Sequence, residues 1–440
     1  VTEPHAGPDA INGDLERDAP ALFRALSDVG RRVFYPPGIP QQAAQARGLA
    51  LDGTIGQITD GHGHALPLPE MEAMLAVGSA ERLSRAFLYS PVEGVPELRQ
   101  AWRARQRRGV DDALSSTLPL VTNGLTHGLS IVADLFAGPG RAVAVAAPFW
   151  GNYRQAFALR TGAEMRSTPA FREGRFNAGV IAEALEGVPA GTPAIAIVNA
   201  PSNPGGYMPT ASEREALVRS LLALAEQRPL VVVVDDAYAG LVYDPSVPRG
   251  SLFWQLAGRH PNLVAVKIDG VTKELSFFGG RVGFLTFAAP ADSALAAALA
   301  SKVKSLVRST VGSPVAVSQM VVLGALECPS LEASVEAVRL RLARRCHALQ
   351  EVLAEADAEL LRPWPFNAGC FAVIELPERV DAEALRQHLL ARHETGIISI
   401  APHHVRIAFC SLSSEAIPEL VHRLERGVRE QMKGRRPRRR

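Results

Sequence analysis

Lys273 is the residue whose neighbours best equip it for covalent chemistry. It stands in Val271-Thr272-Lys273-Glu274-Leu275-Ser276-Phe277-Phe278-Gly279-Gly280-Arg281, near the start of a Gly-rich turn with an arginine eight residues on. An ε-amine in that setting fits an internal imine with an aldehyde cofactor, with the guanidinium beside the cofactor's phosphate. Upstream, Asp235 and Asp236 directly follow the apolar run Leu230 to Val234, and Asn199 follows Ile197-Val198. Asn203 lies in the loop Ala200-Pro201-Ser202-Asn203-Pro204-Gly205-Gly206. An acid at a buried strand end is either a helix cap or a carboxylate with a partner, and an Asn before Pro-Gly-Gly is commonly a turn residue. Singly, none of them assigns a function.

Phosphate needs backbone donors and a cation. Asn123-Gly124-Leu125-Thr126, ahead of the apolar helix-like stretch Leu129 to Phe136, offers amides at a helix N-terminus, where the dipole favours an anion. Arg281 can add a two-pronged contact. His62-Gly63-His64 and His403-His404 raise the question of a metal, but the first pair lacks a carboxylate at a ligating spacing, and adjacent histidines on a strand face opposite ways. The expectation is no metal.

These residues fall at the ends of elements with a repeating order. Ala142 to Ala146, Ala194 to Val198, Leu230 to Val234, Leu263 to Val266 and Gly283 to Phe287 are continuous apolar runs, which suit strands covered on both faces. Between two of them Thr210-Ala211-Ser212-Glu213 is a capping-box signal followed by a helical apolar face. Strand, helix and strand therefore alternate, as in an α/β fold, and ligands in such sheets gather at the carboxyl ends of the strands. From Ser330 the texture changes to a long charged helix, Leu331 to Ala354, then strand-like Cys370 to Ile374 and Val405 to Phe409. The expected organisation is a flexible arm over 1–20, part of a small α+β domain over 21–67, a large cofactor-binding α/β domain over 68–328 with a mostly parallel seven-stranded sheet, the rest of the small domain over 329–430, and a basic tail over 431–440.

With 440 residues, 47% hydrophobic and 21% charged, the chain can bury a large core, and a formal net charge of +2 gives no general attraction to nucleic acid or lipid. The basic run Lys433 to Arg440 reads as a solvated tail. Cys328, Cys346, Cys370 and Cys410 are far apart without CxxC spacing, so they read as buried thiols in a reducing cytoplasm rather than disulfides or zinc ligands. No leader pattern and no apolar run of about 18 residues appears.

Taken together and in this order, the motifs resemble those of fold-type I pyridoxal-phosphate enzymes, specifically the aspartate aminotransferase family of class I/II aminotransferases. The resemblance runs from Gly53 to Arg406. It rests on Tyr89-Ser90-Pro91-Val92-Glu93-Gly94, Pro148-Phe149-Trp150-Gly151-Asn152-Tyr153, Asn203-Pro204-Gly205-Gly206, Asp235-Asp236-Ala237-Tyr238, Lys273 with Arg281, and Arg406. It implies pyridoxal 5'-phosphate held by Lys273 as an imine, with Asp235 on the pyridine nitrogen, Asp236 being the alternative. Tyr238 and Asn203 then bond the cofactor's 3-oxygen and Trp150 stacks on its ring. The phosphate falls to Asn123, Gly124, Leu125, Thr272 and Arg281, and Tyr89 reaches the phosphate of a neighbouring subunit, which implies a homodimer with shared active sites. Arg406 grips the substrate α-carboxylate as a fork. Arg308 is either the arginine for a second carboxylate or an ordinary surface residue, and Ile55-Gly56 is similar to the substrate-facing segment.

Two positions depart from the family's pattern. Gly270 stands three before the lysine, where a phosphate-binding serine is common, and Tyr153 stands where a histidine often adjoins the ring-binding aspartate. The implied activity is transfer of an α-amino group from an amino acid, including a dicarboxylic one, to a 2-oxo acid. Two other readings share the same motifs: a biosynthetic enzyme performing β/γ-elimination, replacement or carbon-carbon bond formation, and a non-catalytic effector-binding module. The second needs a separate DNA-binding domain, and the stretch before Gly53 has no helix-turn-helix of sufficient length.

Overall fold

A computed structural model describes residues 8–18, 20–33, 38–76 and 84–434. The apolar runs become the core of a seven-stranded sheet: β1 (Leu120–Thr122), β2 (Ala142–Ala147), β3 (Glu164–Pro169), β4 (Ala194–Asn199), β5 (Leu230–Asp235), β6 (Leu263–Gly270) and β7 (Gly283–Phe287), in the spatial order β1-β7-β6-β5-β4-β2-β3. Only β7 runs against its neighbours. Alternate residues feed two separate cores. Val143, Ile195, Val233 and Val266 pack to one side, Ala144, Ala196, Val232 and Ala265 to the other, so both faces are buried and no polar alternation appears in the sequence. Strands β1 and β3 escape the reading of apolar runs. β1 has three residues, and β3, at the sheet edge, is part-exposed and carries Glu164, Arg166 and Ser167.

The helices packed around the strands of the chain include α1 (Ile39–Ala46), α2 (Leu125–Phe136), α3 (Ala211–Gln227), α4 (Ala294–Thr310), α5 (Leu331–Glu355), α6 (Ala382–His393) and α7 (Ala416–Gly434). The capping box at Thr210 forms as expected, the Thr210 hydroxyl accepting from the Glu213 amide while Glu213 reaches back to the Thr210 amide at 2.8 Å. Such a cap contributes about 1 kcal/mol to α3.

A second sheet of four strands, β8 (Arg362–Pro363), β9 (Ala372–Glu375), β10 (Ile398–Ala401) and β11 (His404–Ile407), has the order β8-β9-β11-β10 and is antiparallel throughout. A separate two-stranded sheet ties in the amino-terminal part: Leu51–Asp52 pairs in parallel with Thr395–Gly396. The flexible arm expected over 1–20 is corrected in part: Pro8–Asp18 is helical, and Asn12 Nδ2 donates to the Arg31 carbonyl at 2.8 Å. Of the basic tail, 431–434 form the end of α7, while 435–440 lie outside the described residues. Among the described residues no helix is long and apolar enough to cross a membrane.

Candidate active site

The carboxyl ends of β4 and β5, together with the turn that follows β6, open into a cleft of about 610 Å³. β5 ends on Asp235, whose carboxylate is 2% exposed and accepts from the Tyr153 hydroxyl at 2.6 Å and the Ala237 amide at 3.0 Å. Burial raises its pKa; the Tyr153 bond, the Lys273 charge and the Ala237 amide oppose that rise. β6 runs through Gly270 into the single helical turn Val271–Glu274, which carries Lys273 into the same cleft. Burial pushes the Lys273 amine below the ordinary lysine range, with the Asp235 charge opposing. Its Nζ lies 5.0 Å from the centroid of the Tyr238 ring. A half-buried amine and a buried acid thus share one cavity, each moving the other toward its charged form.

Next to them is a cradle for an anion. Gly124 caps α2 with φ +80°, a left-handed conformation that suits glycine, and a Cβ there would come within 2.6 Å of Arg281 Nη2. The guanidinium therefore lies against the amino end of α2, where Leu125 and Thr126 line the cleft and first-turn backbone amides lack helical partners. Arg281 itself adopts φ 52°, ψ 50°, a strained conformation for a side chain of this size. The Thr272 hydroxyl, also in the cleft wall, is buried with no hydrogen-bond partner.

Arg406 on β11 closes the cleft from the second sheet. Its guanidinium is fully buried, donates to the Thr54 carbonyl at 2.6 Å and to Asn203 Oδ1 at 3.4 Å, and stacks 4.2 Å over the Phe371 ring. Burial lowers its pKa to about 10 and Nε has no partner, so the fork is only half satisfied. The Asn203 backbone amide donates to Asn199 Oδ1 at 2.7 Å while its Nδ2 lies 3.4 Å from the Tyr238 hydroxyl. Trp150, Ile55 and Gly56 also line the cleft, and Gly56 leaves no space for a side chain, since a Cβ would lie 2.2 Å from the Phe371 ring.

Some expected residues are not brought in. The Asn123 side chain accepts from the Val315 amide at 3.2 Å and does not line the cleft. Asp236, the alternative ring partner, points instead to Lys267, 3.5 Å away, outside the cleft lining. Arg308 is exposed in the last turn of α4, whose buried face is Ala296, Val303 and Val307, and is absent from the cleft of its own chain. Tyr89 is 96% exposed and likewise does not line it. Of the histidines, His64 bonds Asp60 at 2.9 Å, His403 contacts the Val380 carbonyl at 2.9 Å and His404 packs edge-on to Trp364.

A family model for class I and II aminotransferases matches residues 54–424, spanning both sheets and every cleft residue from Ile55 to Arg406. The chain belongs to that aminotransferase family. An aspartate aminotransferase of Geobacillus stearothermophilus is 24% identical over 351 residues, covering 77% of this chain and 83% of that one. The match to an aspartate aminotransferase of Streptomyces avermitilis is 29% identical and spans about half of each chain, 50% and 51%. Among solved structures, an aminotransferase of Anaerococcus prevotii superposes with a TM-score of 0.79 at 20% identity, covering 90% of this chain and 97% of that one. A kynurenine aminotransferase of Pyrococcus horikoshii gives 0.76 at 17%, covering 93% and 98%.

Within the aminotransferase fold, the two departures have physical explanations. Gly270 cannot be the common serine, because a Cβ would lie 2.6 Å from the Val282 carbonyl and 2.9 Å from Leu125. Tyr153, 1% exposed, stands beside the acid as a neutral donor, and burial and the Asp235 charge hold its own pKa far above the usual phenol value. Sequence reasoning missed the buried ionic layer beneath the lysine turn. Lys267 Nζ bonds Asp269, which also accepts from Trp102 Nε1 at 3.2 Å and Gln106 Nε2 at 2.9 Å. The signal was available: Lys267 and Asp269 interrupt an otherwise apolar strand at alternate positions. Arg47, at the end of α1, was also missed and lines the cleft mouth.

Proposed function

We propose that this chain is a pyridoxal-phosphate-dependent aminotransferase that moves the α-amino group of an amino acid to a 2-oxo acid, with Lys273 as the residue that tethers the cofactor. The observation that carries the proposal is the placing of the half-buried Lys273 amine and the buried Asp235 carboxylate in one cleft beside an anion cradle. The residues fit the group. Asp235 would hold the ring nitrogen, Trp150 would cover a ring face, and Tyr238 and Asn203 would bond the 3-oxygen. Leu125, Thr126, Thr272 and Arg281 would hold its phosphate, which would give the partnerless Thr272 hydroxyl an acceptor. When bound, pyridoxal phosphate supplies an aldehyde carbon that takes up the amino group and a cationic ring that draws off electrons from the substrate Cα.

The chain's own groups do the rest. Arg406 binds the α-carboxylate, whose arrival satisfies the orphaned Nε and orients the Cα–H bond toward Lys273. Burial favours the neutral form of Lys273 that a general base requires, and Nζ removes the Cα proton. Asp235, whose anionic form the Tyr153 and Ala237 bonds favour against the effect of burial, would sustain a positive charge across the cavity. Ile55 and Phe278 meet the stem of the substrate side chain, and Arg47 offers a cation to an acidic terminus, which favours a dicarboxylic donor read by Arg47 rather than by Arg308.

The assembly we propose is a homodimer. Phe87, Leu88 and Tyr89 are 83%, 65% and 96% exposed, and a contiguous apolar patch of this kind calls for a cover. In such a dimer Tyr89 would reach a phosphate held in the neighbouring subunit's cleft. The test is to mix the protein, loaded with pyridoxal phosphate, with amino-acid donors and a 2-oxo acid. One oxo acid released per acceptor aminated supports transfer, and Lys273→Ala is expected to abolish both turnover and the visible absorbance of the tethered cofactor. Retention of either by the variant refutes the assignment. Consumption of the amino acid without amination of the acceptor points to elimination or carbon-carbon bond formation instead.

A further inference from the structure

Away from the cleft, α6 and α7 pack so closely that a side chain at Gly427 would meet Leu389 Cδ2 at 2.8 Å and Leu385 Cδ1 at 3.1 Å. Glycine inside a helix costs about 1 kcal/mol relative to alanine, and here it allows the last turns of α7 to lie against the end of α6. One turn beyond Gly427, Glu430 reaches two imidazoles. Its Oε2 is 2.6 Å from His388 Nε2 and 3.0 Å from His393 Nε2, and the three atoms all lie within 4.8 Å of one another. His393 is anchored by its backbone, whose carbonyl accepts from Arg423 Nη1 at 2.6 Å and Thr395 Oγ1 at 2.8 Å.

We propose that His388, His393 and Glu430 form a binding site for a divalent transition-metal ion of the zinc class, clasping α6 to α7, with water as the remaining ligand. Two imidazole nitrogens and one carboxylate oxygen are a donor set for zinc, and the nitrogens argue against calcium or magnesium, which take oxygen ligands. Metal–ligand bonds of about 2.0–2.2 Å place neighbouring donor atoms of a tetrahedron about 3.3–3.5 Å apart. The observed separations of 2.6 and 3.0 Å are those of a hydrogen-bonded cluster, which opens by less than about 1 Å to admit an ion. The His393 side chain is 8% exposed and that of Glu430 42%, so one side of the site is fixed by the protein and the other is open to solvent for the water. The neighbouring Arg429 is already engaged by Asp357 at 3.1 Å and Glu425 at 2.7 Å. None of the three ligands lines the cleft, so the site stands apart from the aminotransferase chemistry.

The experiment is equilibrium dialysis of the chelator-stripped full chain against Zn²⁺, with metal quantified per chain and thermal melting followed with and without the ion. The expected result is one saturable equivalent and a melting temperature raised by Zn²⁺. Both effects should weaken at least tenfold in apparent affinity in His388→Ala, His393→Ala and the milder Glu430→Gln, and persist in His64→Ala. Melting of each variant in chelator reports whether it folds, and Glu430→Gln, at a half-exposed position, keeps the test decisive if a histidine variant does not. Two results overturn the proposal: no saturable Zn²⁺ binding by the unaltered chain, or an equivalent that survives Glu430→Gln and both histidine variants undiminished.

Discussion

Tyr153→Phe isolates the most distinctive feature of the cleft, a phenol that orients a buried acid. The substitution removes one oxygen and leaves the ring packed against Trp150, 5.7 Å away edge-on, and Phe149. What it takes away is a 2.6 Å bond to Asp235 Oδ2, one of two donors that the carboxylate has, the other being the Ala237 amide. A hydrogen bond to a charged group in a buried site is worth about 1.5–3 kcal/mol, and 1.36 kcal/mol is a factor of ten, so affinity for pyridoxal phosphate should fall about 10- to 150-fold. The sign with pH follows from the same bond. Burial already raises the Asp235 pKa and the Tyr153 donor holds it down, so losing the donor lets it rise further. Cofactor affinity depends on the ionised acid, is lost as pH falls through that pKa, and in Tyr153→Phe should be lost at a higher pH. A spectroscopic titration with pyridoxal phosphate between pH 5 and pH 9 reads both effects, and a folding check by circular dichroism separates them from collapse of the core. Unchanged affinity with an unmoved acid edge would show that Asp235 does not depend on Tyr153 and would refute the assigned role.

Arg406→Lys keeps the charge but loses the fork, so kcat/KM for an amino-acid donor should drop about 10- to 150-fold; a drop below threefold in steady-state assays contradicts the assigned role. Gly270→Ser, which restores the family's common residue, forces an atom to 2.6 Å from the Val282 carbonyl and should lower stability by about 1–3 kcal/mol, seen as an earlier urea midpoint. Stability unchanged or improved there would mean that the strand end relaxes freely. Glu274, beside Arg105 at 3.5 Å, has its pKa raised by burial to about 7 from 4.5, so the folded chain keeps a proton that the unfolded chain releases and stability declines as pH climbs from 4.5 to 7. Glu274→Gln should remove at most about 3 kcal/mol of that decline. Asp236, raised to about 6, contributes alike to both proteins, so their slopes of stability against pH should differ throughout pH 4.5 to 7; parallel curves of denaturation against pH through this window count against the assignment.

Much of the sheet and most of the cleft were readable along the chain for a common reason. Strands buried on both faces are continuous apolar runs, and the polar residues that follow them, Asp235, Asn199 and the Lys273 turn, fall where such a sheet opens to a ligand. Boundaries were less legible. β6 runs on past Val266 to Gly270 because Lys267 and Asp269 neutralise one another in the interior, a pairing that one-dimensional apolarity reads as a strand end. The helix at Pro8–Asp18 was missed because its composition is polar.

Local order along the chain therefore determined the strand and helix alternation and the α3 cap, and it marked the Lys273 amine and the Asp235-Asp236 pair as candidates, since each depends on neighbours a few residues away. Tertiary structure alone decided which of two adjacent acids enters the cleft, that the Asn123 side chain and Arg308 stay out of it, that Arg47 comes to its mouth, and that Glu430 meets His388 and His393. Those outcomes depend on strand register, on the pleat that turns successive side chains to opposite faces, and on contacts between segments far apart in the chain, such as Arg406 and Thr54, which are separated by 352 residues.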